Sequence, residues 1–331
     1  MEARLPPHDE TLDSGTRILA HPQFLEGDAP RARSPRDRAQ FIRAGFDVSL
    51  LLGPALVLLI VFVVVPLVVV AILAFFTYNP LSGTGRFVGL TNYRRVLAST
   101  EYRTAAVNTA EYFILTVPLT LVLGLSAALG IHRLGSGGQV WRVIYFLPVA
   151  STLAATSVVW RWLFYPRTGV IDATIGRLLG VTDWLHSSRL VIPAIALVGI
   201  WEGIGFAVVI FLAGLNGVPA GPLEAARLDG AGAWSRFWHI TLPSLSPALM
   251  FNLVLSTRNA LRVYDEVRVM TGGGPADRSN TLAFLIWKRG IQFLDVGGGA
   301  VITITLLALI LLMTALQFAL GGSRIEGAGT Q

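Results

Sequence analysis

Long stretches without charge alternate along this chain with short stretches crowded with arginine, proline and glycine. No residue between Val48 and Tyr78 is charged, and a helix needs only ~20 apolar residues to cross the hydrocarbon of a bilayer. Further apolar runs, four of them with embedded charges, recur at approximately 105–131, 140–164, 190–215, 248–266 and 296–321. With the first taken as 48–77, the pattern predicts six spans. Lipid cannot hydrogen-bond a backbone, and the runs far exceed the ~9–11 residues of a barrel strand, so the spans are expected to be helices. The fold class is therefore an all-α membrane protein with six transmembrane helices. Residues 1–47 are polar, of mixed charge and without apolar period, and read as a disordered tail, with 322–331 as a second, shorter tail.

Composition agrees with this and removes several functions. Of 331 residues, 53% are hydrophobic and 14% charged, where a soluble domain carries about 25% charged residues. The net charge of +6 is spread as single arginines between apolar runs, so nothing resembles the continuous basic face that nucleic acid requires. Cysteine is absent, which excludes disulfides and thiolate chemistry. The one lysine, Lys288, sits in Ile286-Trp287-Lys288-Arg289 with no glycine-rich lead-in, so the chain has no phosphate-binding P-loop. Any ATP must be hydrolysed on a partner. Arginines fall almost equally on the two sets of alternating loops, so charge bias does not orient the spans.

The segment between spans four and five, 216–247, carries the most information. Pro222 can open a helix at its first position, Glu224 suits the first turn, and Gly230 with Gly232 ends it after two turns. A second helix over Ala233 to Ile240 places Trp234, Phe237 and Trp238 on one face and is expected to stop before Pro243. Within it stand Glu224-Ala225-Ala226, then Asp229-Gly230, then Ile240 and Leu242-Pro243. This constellation resembles the signature of inner-membrane permease subunits of binding-protein-dependent ABC importers, in the carbohydrate-uptake branch related to maltose-type permeases. Phe87-Val88-Gly89-Leu90-Thr91-Asn92-Tyr93, Val159-Trp160-Arg161-Trp162-Leu163-Phe164 and Thr271-Gly272-Gly273-Gly274-Pro275 are similar to further segments of that family. Gly297-Gly298-Gly299-Ala300 departs from its usual entry to the last span.

The resemblance implies a MetI-like permease core and a division of labour. The loop would face the cytoplasm and dock on an ATP-binding subunit dimer holding Mg-ATP, with Glu224 meeting a basic group, Ala225 and Ala226 allowing close approach and Gly230 allowing the turn. A second homologous permease, an extracytoplasmic solute-binding protein and the bilayer would complete the partners; no cofactor is implied in this chain. The protein would sit in the bacterial inner membrane with both termini cytoplasmic.

Ionisable groups at membrane depth mark function by default. Arg258 lies eleven residues into span five, ~16 Å along the axis at 1.5 Å per residue. Arg262 and Asn259 adjoin it, and Asn252 lies seven before Asn259. Together with Glu202 and Trp201 in span four, these are the candidate solute pathway. Structural roles compete: Arg262 could pair with Asp265 or Glu266, and Glu202 with an arginine of span five. The arginines make an anionic sugar worth considering beside a neutral one. Glu111 is assigned no role. No catalytic constellation is present, and a stand-alone ion-coupled transporter is the alternative from another class.

Overall fold

The structure, a computed structural model, describes residues 52–325. Both expected tails, except 322–325, and the first residues of span one lie outside the described residues. One unit ends at Val63 and a second begins at Val64.

Helix α1 covers Leu52–Leu73. The expected span to 77 is too long, because the chain leaves the helix at Leu73 and turns back as a hairpin in which β1 (Phe76–Asn79) pairs antiparallel with β2 (Thr84–Phe87). Thr77 and Tyr78 favour extended backbone. Asn79 then closes the turn by accepting the Leu81 amide at 2.9 Å. The hairpin is a small departure from an otherwise helical architecture.

The short α2 (Thr91–Leu97) precedes α3 (Thr100–Arg133), whose first turn is capped by Ser99 accepting from the Tyr102 amide at 3.3 Å. Span three is two helices, α4 (Gln139–Ala150) and α5 (Leu153–Leu163), bent by 100°. Pro148 lies in the last turn before the break, where its missing N–H weakens the helix. Helix α6 covers Val191–Asn216. The loop that follows contains α7 (Ala220–Leu228) and α8 (Ala233–Ser244), and α8 meets α9 (Ser246–Leu261) at 68°. Span five thus ends at Leu261, short of the expected 266. Helix α10 (Leu282–Trp287) lies between it and α11 (Val296–Ile325). Among the described residues four helices, α1, α3, α6 and α11, are long and apolar enough to cross a membrane alone, and counting each bent pair as one span brings the number to six.

The parallel pair α3 and α6 forms the centre. Their backbones approach closely because small residues recur every fourth position on α6: a Cβ on Gly199 would sit 2.1 Å from the Tyr112 hydroxyl, and one on Gly203 would sit 3.0 Å from Thr120. One turn further, the methyl of Ala207 occupies the space over Gly124, where a Cβ would be 2.6 Å away. Small residues at that spacing are what permits close helix contact in lipid, where apolar side chains gain nothing by leaving the solvent. Helix α9 runs antiparallel to both, its buried Asn252 donating to the Ala207 carbonyl, and α11 packs on α9 through Gln317, which donates to Thr257 at 2.6 Å.

At the end opposite α7 and α8, charges join the segments between spans. Lys288 meets Asp277 at 2.8 Å and Glu101 at 3.0 Å; Arg289 meets Glu101 at 2.6 Å; Arg95 meets Asp295 at 2.8 Å. Glu111, which the sequence left without a role, holds Arg278 at 2.8 Å, and Arg278 also donates to Asn108 and the Ser188 carbonyl. Burial opposes the charge of Asp295, but Arg95, the Gly298 amide and Arg289 outweigh it and hold the carboxyl below its usual value. Burial likewise opposes the charge of Lys288, and its bonds to Asp277 and Glu101 leave its pKa raised.

Two outcomes follow from these contacts. Gly124→Leu should lower the stability of the detergent-solubilised protein by about 1–3 kcal/mol through overpacking, measured as a fall in thermal midpoint. Gly130→Ala, with nothing within 4 Å of the added Cβ, should leave it unchanged. Because the Asp295 pKa is lowered, its contribution is full above the ordinary carboxylate value of about 4 and fades as pH falls through the lower folded value. The Lys288 contribution is present below about 10 and fades as pH rises through its raised value. Thermal midpoints measured against pH should show both limbs, with Asp295→Asn flattening the acid one.

Candidate functional site

Two separate features carry the candidate residues: the projecting helices α7 and α8, and a cavity among α3, α6 and α9.

Helix α7 starts two residues earlier than expected, with Pro219 before it, so Pro222 is its third residue and not its first. Proline is tolerated there because the first-turn amides have no intrahelical partner. The C-terminal end closes as the sequence indicates. Gly230 adopts φ +78°, its amide reaches the Arg227 carbonyl, and the Ala231 amide reaches the Ala226 carbonyl at 2.9 Å. Arg236 then donates to the Ala231 carbonyl, tying the start of α8 to this turn. Glu224, Ala225, Asp229 and Gly230 are exposed and Ala226 is half-buried, so one short helix and its cap present five of the seven predicted coupling residues to solvent.

Leu242 and Pro243 lie elsewhere, on the last turn of α8. That helix does not stop at Ile240: it passes through a wide turn over Phe237–Thr241 and continues to Ser244. The wide turn lets Pro243 enter without the clash that a regular helix would impose on the carbonyl four residues back. Trp234, Phe237 and Trp238 do share a face, with Trp234 centred 5.8 Å from Phe237 and 5.6 Å from Trp238. His239 lies on this helix and approaches the Ser235 carbonyl at 2.9 Å. Fully buried Leu245 at the α8–α9 bend packs with Phe211 and Leu212 of α6.

The cavity has a volume of about 450 Å³ and is walled by α3, α6, α9, the α4–α5 bend and residues 262–266, within the usual size of small-molecule sites. It gathers Glu202, Arg258, Asn259 and Arg262 as predicted. It excludes Trp201, which turns away to meet Trp160 edge-on at 5.6 Å, since consecutive helical residues point ~100° apart. It also excludes Asn252, which is buried two turns deeper and spends its amide on the Ala207 carbonyl at 3.5 Å. Among the described residues, none of Glu202, Arg258 and Arg262 forms an ion pair. Arg262 terminates α9 with φ −106°, and it and Arg258 are exposed.

Sequence reasoning missed the α3 wall. Tyr112, Thr116 and Thr120 line the cavity at intervals of four, a polar stripe that helical periodicity could have exposed. Among the described residues Glu266 forms no ion pair with Arg262. It is instead a buried cavity residue whose carboxylate accepts from the Tyr112 hydroxyl at 3.3 Å. The lining thus combines carboxylate acceptors, guanidinium and amide donors and hydroxyls over apolar walls, an arrangement that matches a molecule rich in hydroxyl groups. Among the described residues no group of three histidine, aspartate or glutamate side chains is placed to hold a metal.

Residues 49–324 match the family described as binding-protein-dependent transport system inner membrane component. Over 269 residues the chain is 34% identical to the sulfoquinovosyl glycerol transport system permease protein SmoG of Agrobacterium fabrum, covering 80% of this chain and 87% of that one. It is 31% identical over 277 residues to the trehalose/maltose transport system permease protein MalF of Thermococcus litoralis, covering 83% and 93%. In structure it resembles a chain of a bacterial ABC transporter involved in the import of the acidic polysaccharide alginate, with a TM-score of 0.75 at 19% identity over 86% of this chain and 98% of the other.

Gly230→Val should cost about 1–2 kcal/mol at the turn, because a β-branched residue resists positive φ. Faster tryptic cleavage after Arg227 in the detergent-solubilised protein would report the loosened α7, with the rest of the digest unchanged.

Proposed function

Because the chain belongs to the family of binding-protein-dependent transport system inner membrane components and is a permease subunit of an ATP-driven importer, we propose that its solute is a sugar or sugar-like molecule crossing beside α9, and that α7 and α8 receive the ATPase. The carrying observation is the helix that presents Glu224 and Ala225 to solvent, closed by Gly230, tied by Arg236 to α8, and followed through the α8–α9 bend by the span that lines the cavity. The solute class rests on the hydroxyl-matching lining and on relatives named for sulfoquinovosyl glycerol and for trehalose and maltose.

The proposed working unit contains this chain, a second homologous permease, two ATP-binding subunits holding Mg-ATP and an extracytoplasmic solute-binding protein, set in the bacterial inner membrane. The loop and both termini face the cytoplasm in this reading. Arg258, Asn259 and Arg262 are exposed on the single chain, which suits a pathway completed by the second permease. Closure of the ATPase pair would push on α7. Arg236 passes the displacement to α8 and Leu245 holds the α8–α9 bend against α6, so span five and its polar groups would tilt as one lever.

The decisive substitution is Glu224→Lys in the assembled transporter. ATP-driven uptake should fall roughly 10-fold or more, the effect of breaking one partner of a buried interfacial charge pair, or the ATPase should no longer co-purify. Unchanged uptake with normal assembly overturns the coupling assignment. Transport by the purified chain alone under an ion gradient would favour a stand-alone secondary transporter instead.

A further inference from the structure

Span five ends in a wall of hydrogen-bond donors. Arg258, Asn259 and Arg262 all line the cavity and all are exposed on the single chain. The arginines stand one turn apart at the C-terminal end of α9, and each guanidinium carries five N–H groups in a planar fork. Elsewhere in the protein such forks are engaged: Arg278 holds Glu111, Asn108 and the Ser188 carbonyl, and Arg289 holds Glu101. Among the described residues neither Arg258 nor Arg262 forms an ion pair, although Glu202, Asp265 and Glu266 line the same cavity. The carbonyl end of α9 accounts for one positive charge beside it. It does not account for two guanidinium groups on the wall of one cavity, since a cation at membrane depth is costly until water or an anion meets it.

The protein's own carboxyl groups do not supply that anion. Glu202 and Asp265 are half-buried and stand outside ion-pair range of both arginines. Glu266 lies beyond the end of α9, 4% exposed, with the Tyr112 hydroxyl donating to it at 3.3 Å. A carboxyl enclosed in this way with no cation beside it is favoured in its neutral form.

We propose that Arg258 and Arg262, with Asn259, form an oxyanion subsite, and that the solute is a sugar or polyol carrying a sulfonate, phosphate or carboxylate group. The three anions share the chemistry that counts here, since each offers paired oxygens to a guanidinium fork. Asn259 adds a neutral N–H donor. On the α3 wall the hydroxyls of Thr116 and Thr120 meet the polyhydroxylated remainder of the molecule. A neutral sugar would leave both guanidinium groups without a counter-charge, whereas an anionic one brings the counter-charge with it.

This rests on the proposed carbohydrate import and names its substrate class. The complete transporter with its solute-binding protein is reconstituted in proteoliposomes, and ATP-driven uptake is measured for sulfoquinovose, glycerol 3-phosphate and an alginate oligosaccharide beside maltose, trehalose and glycerol. An anionic compound is expected to be carried in preference to every neutral one. Arg258→Gln and Arg262→Gln should each raise its KM roughly 10-fold or more, as for loss of a hydrogen bond to a charged group, while kcat and co-purification of the ATPase stay normal. Arg262→Lys, which keeps the charge without the fork, should fall between wild type and Arg262→Gln. Should the glutamine variants fail to fold, Arg258→Lys and Arg262→Lys carry the test through the same rise in KM. Loss of the second permease from a folded glutamine variant would mean that the arginines pair with that subunit, and overturns the inference. Wild-type KM in both glutamine variants, or uptake of neutral carbohydrates alone, overturns it too and leaves the carbohydrate function standing. Failure of every carbohydrate, charged or neutral, overturns both.

Discussion

The close approach of α3 and α6 is the constraint on which the rest of the structure depends. In lipid, helices are not driven together by exclusion of water, so backbones must come near enough for dispersion and hydrogen bonds to act. Gly199, Gly203 and Ala207 on one helix and Gly124 on the other provide that nearness. The same stripe creates the cavity. A glycine that lets Tyr112 reach across α6 also removes a side chain from the wall, so the features that hold the bundle together at its centre also leave it hollow there.

The two ends of the bundle are held by different physics. At one end Lys288, Arg289, Arg95 and Arg278 lace α2, α3, α10 and the start of α11 into an ionic mesh. Such pairs suit half-buried segments that contact water, where several charges acting together outperform an isolated surface pair. At the other end contacts are backbone caps and apolar packing: the Gly230 turn, the Arg236 tether and Leu245 beneath the bend. An ionic mesh resists bending of the segments it joins, whereas a single apolar pivot permits one helix to tilt on another. That asymmetry fits a machine driven from the α7 and α8 end.

The lone lysine illustrates how one residue can carry opposite kinds of information. As a letter in the sequence it rules out a P-loop, because no glycine-rich loop precedes it. As an object in space it bridges Asp277 and Glu101, residues far apart in the chain, and braces the entry to the last span. Glu111 is similar: it is unremarkable as one carboxylate near a span end, yet it is the anchor for Arg278.

What the sequence determined by itself is local and one-dimensional. Long runs dominated by apolar residues set six segments, since solvation by lipid acts residue by residue, and the Glu224-Ala225-Ala226 to Pro243 constellation identified the family, since its spacing is a property of the chain alone. The glycine cap of α7 and the aromatic face of α8 were legible for the same reason. Only the tertiary structure decided where Leu73 ends the first helix, that span three bends by 100°, and that Pro243 continues α8 through a wide turn. It also separated Trp201 and Asn252 from the cavity and brought Tyr112 and Glu266, 154 positions apart, into one hydrogen bond. Such pairings depend on which helix faces meet, and that follows from the depth and position of small residues across two helices at once, a relation that no single run of sequence contains.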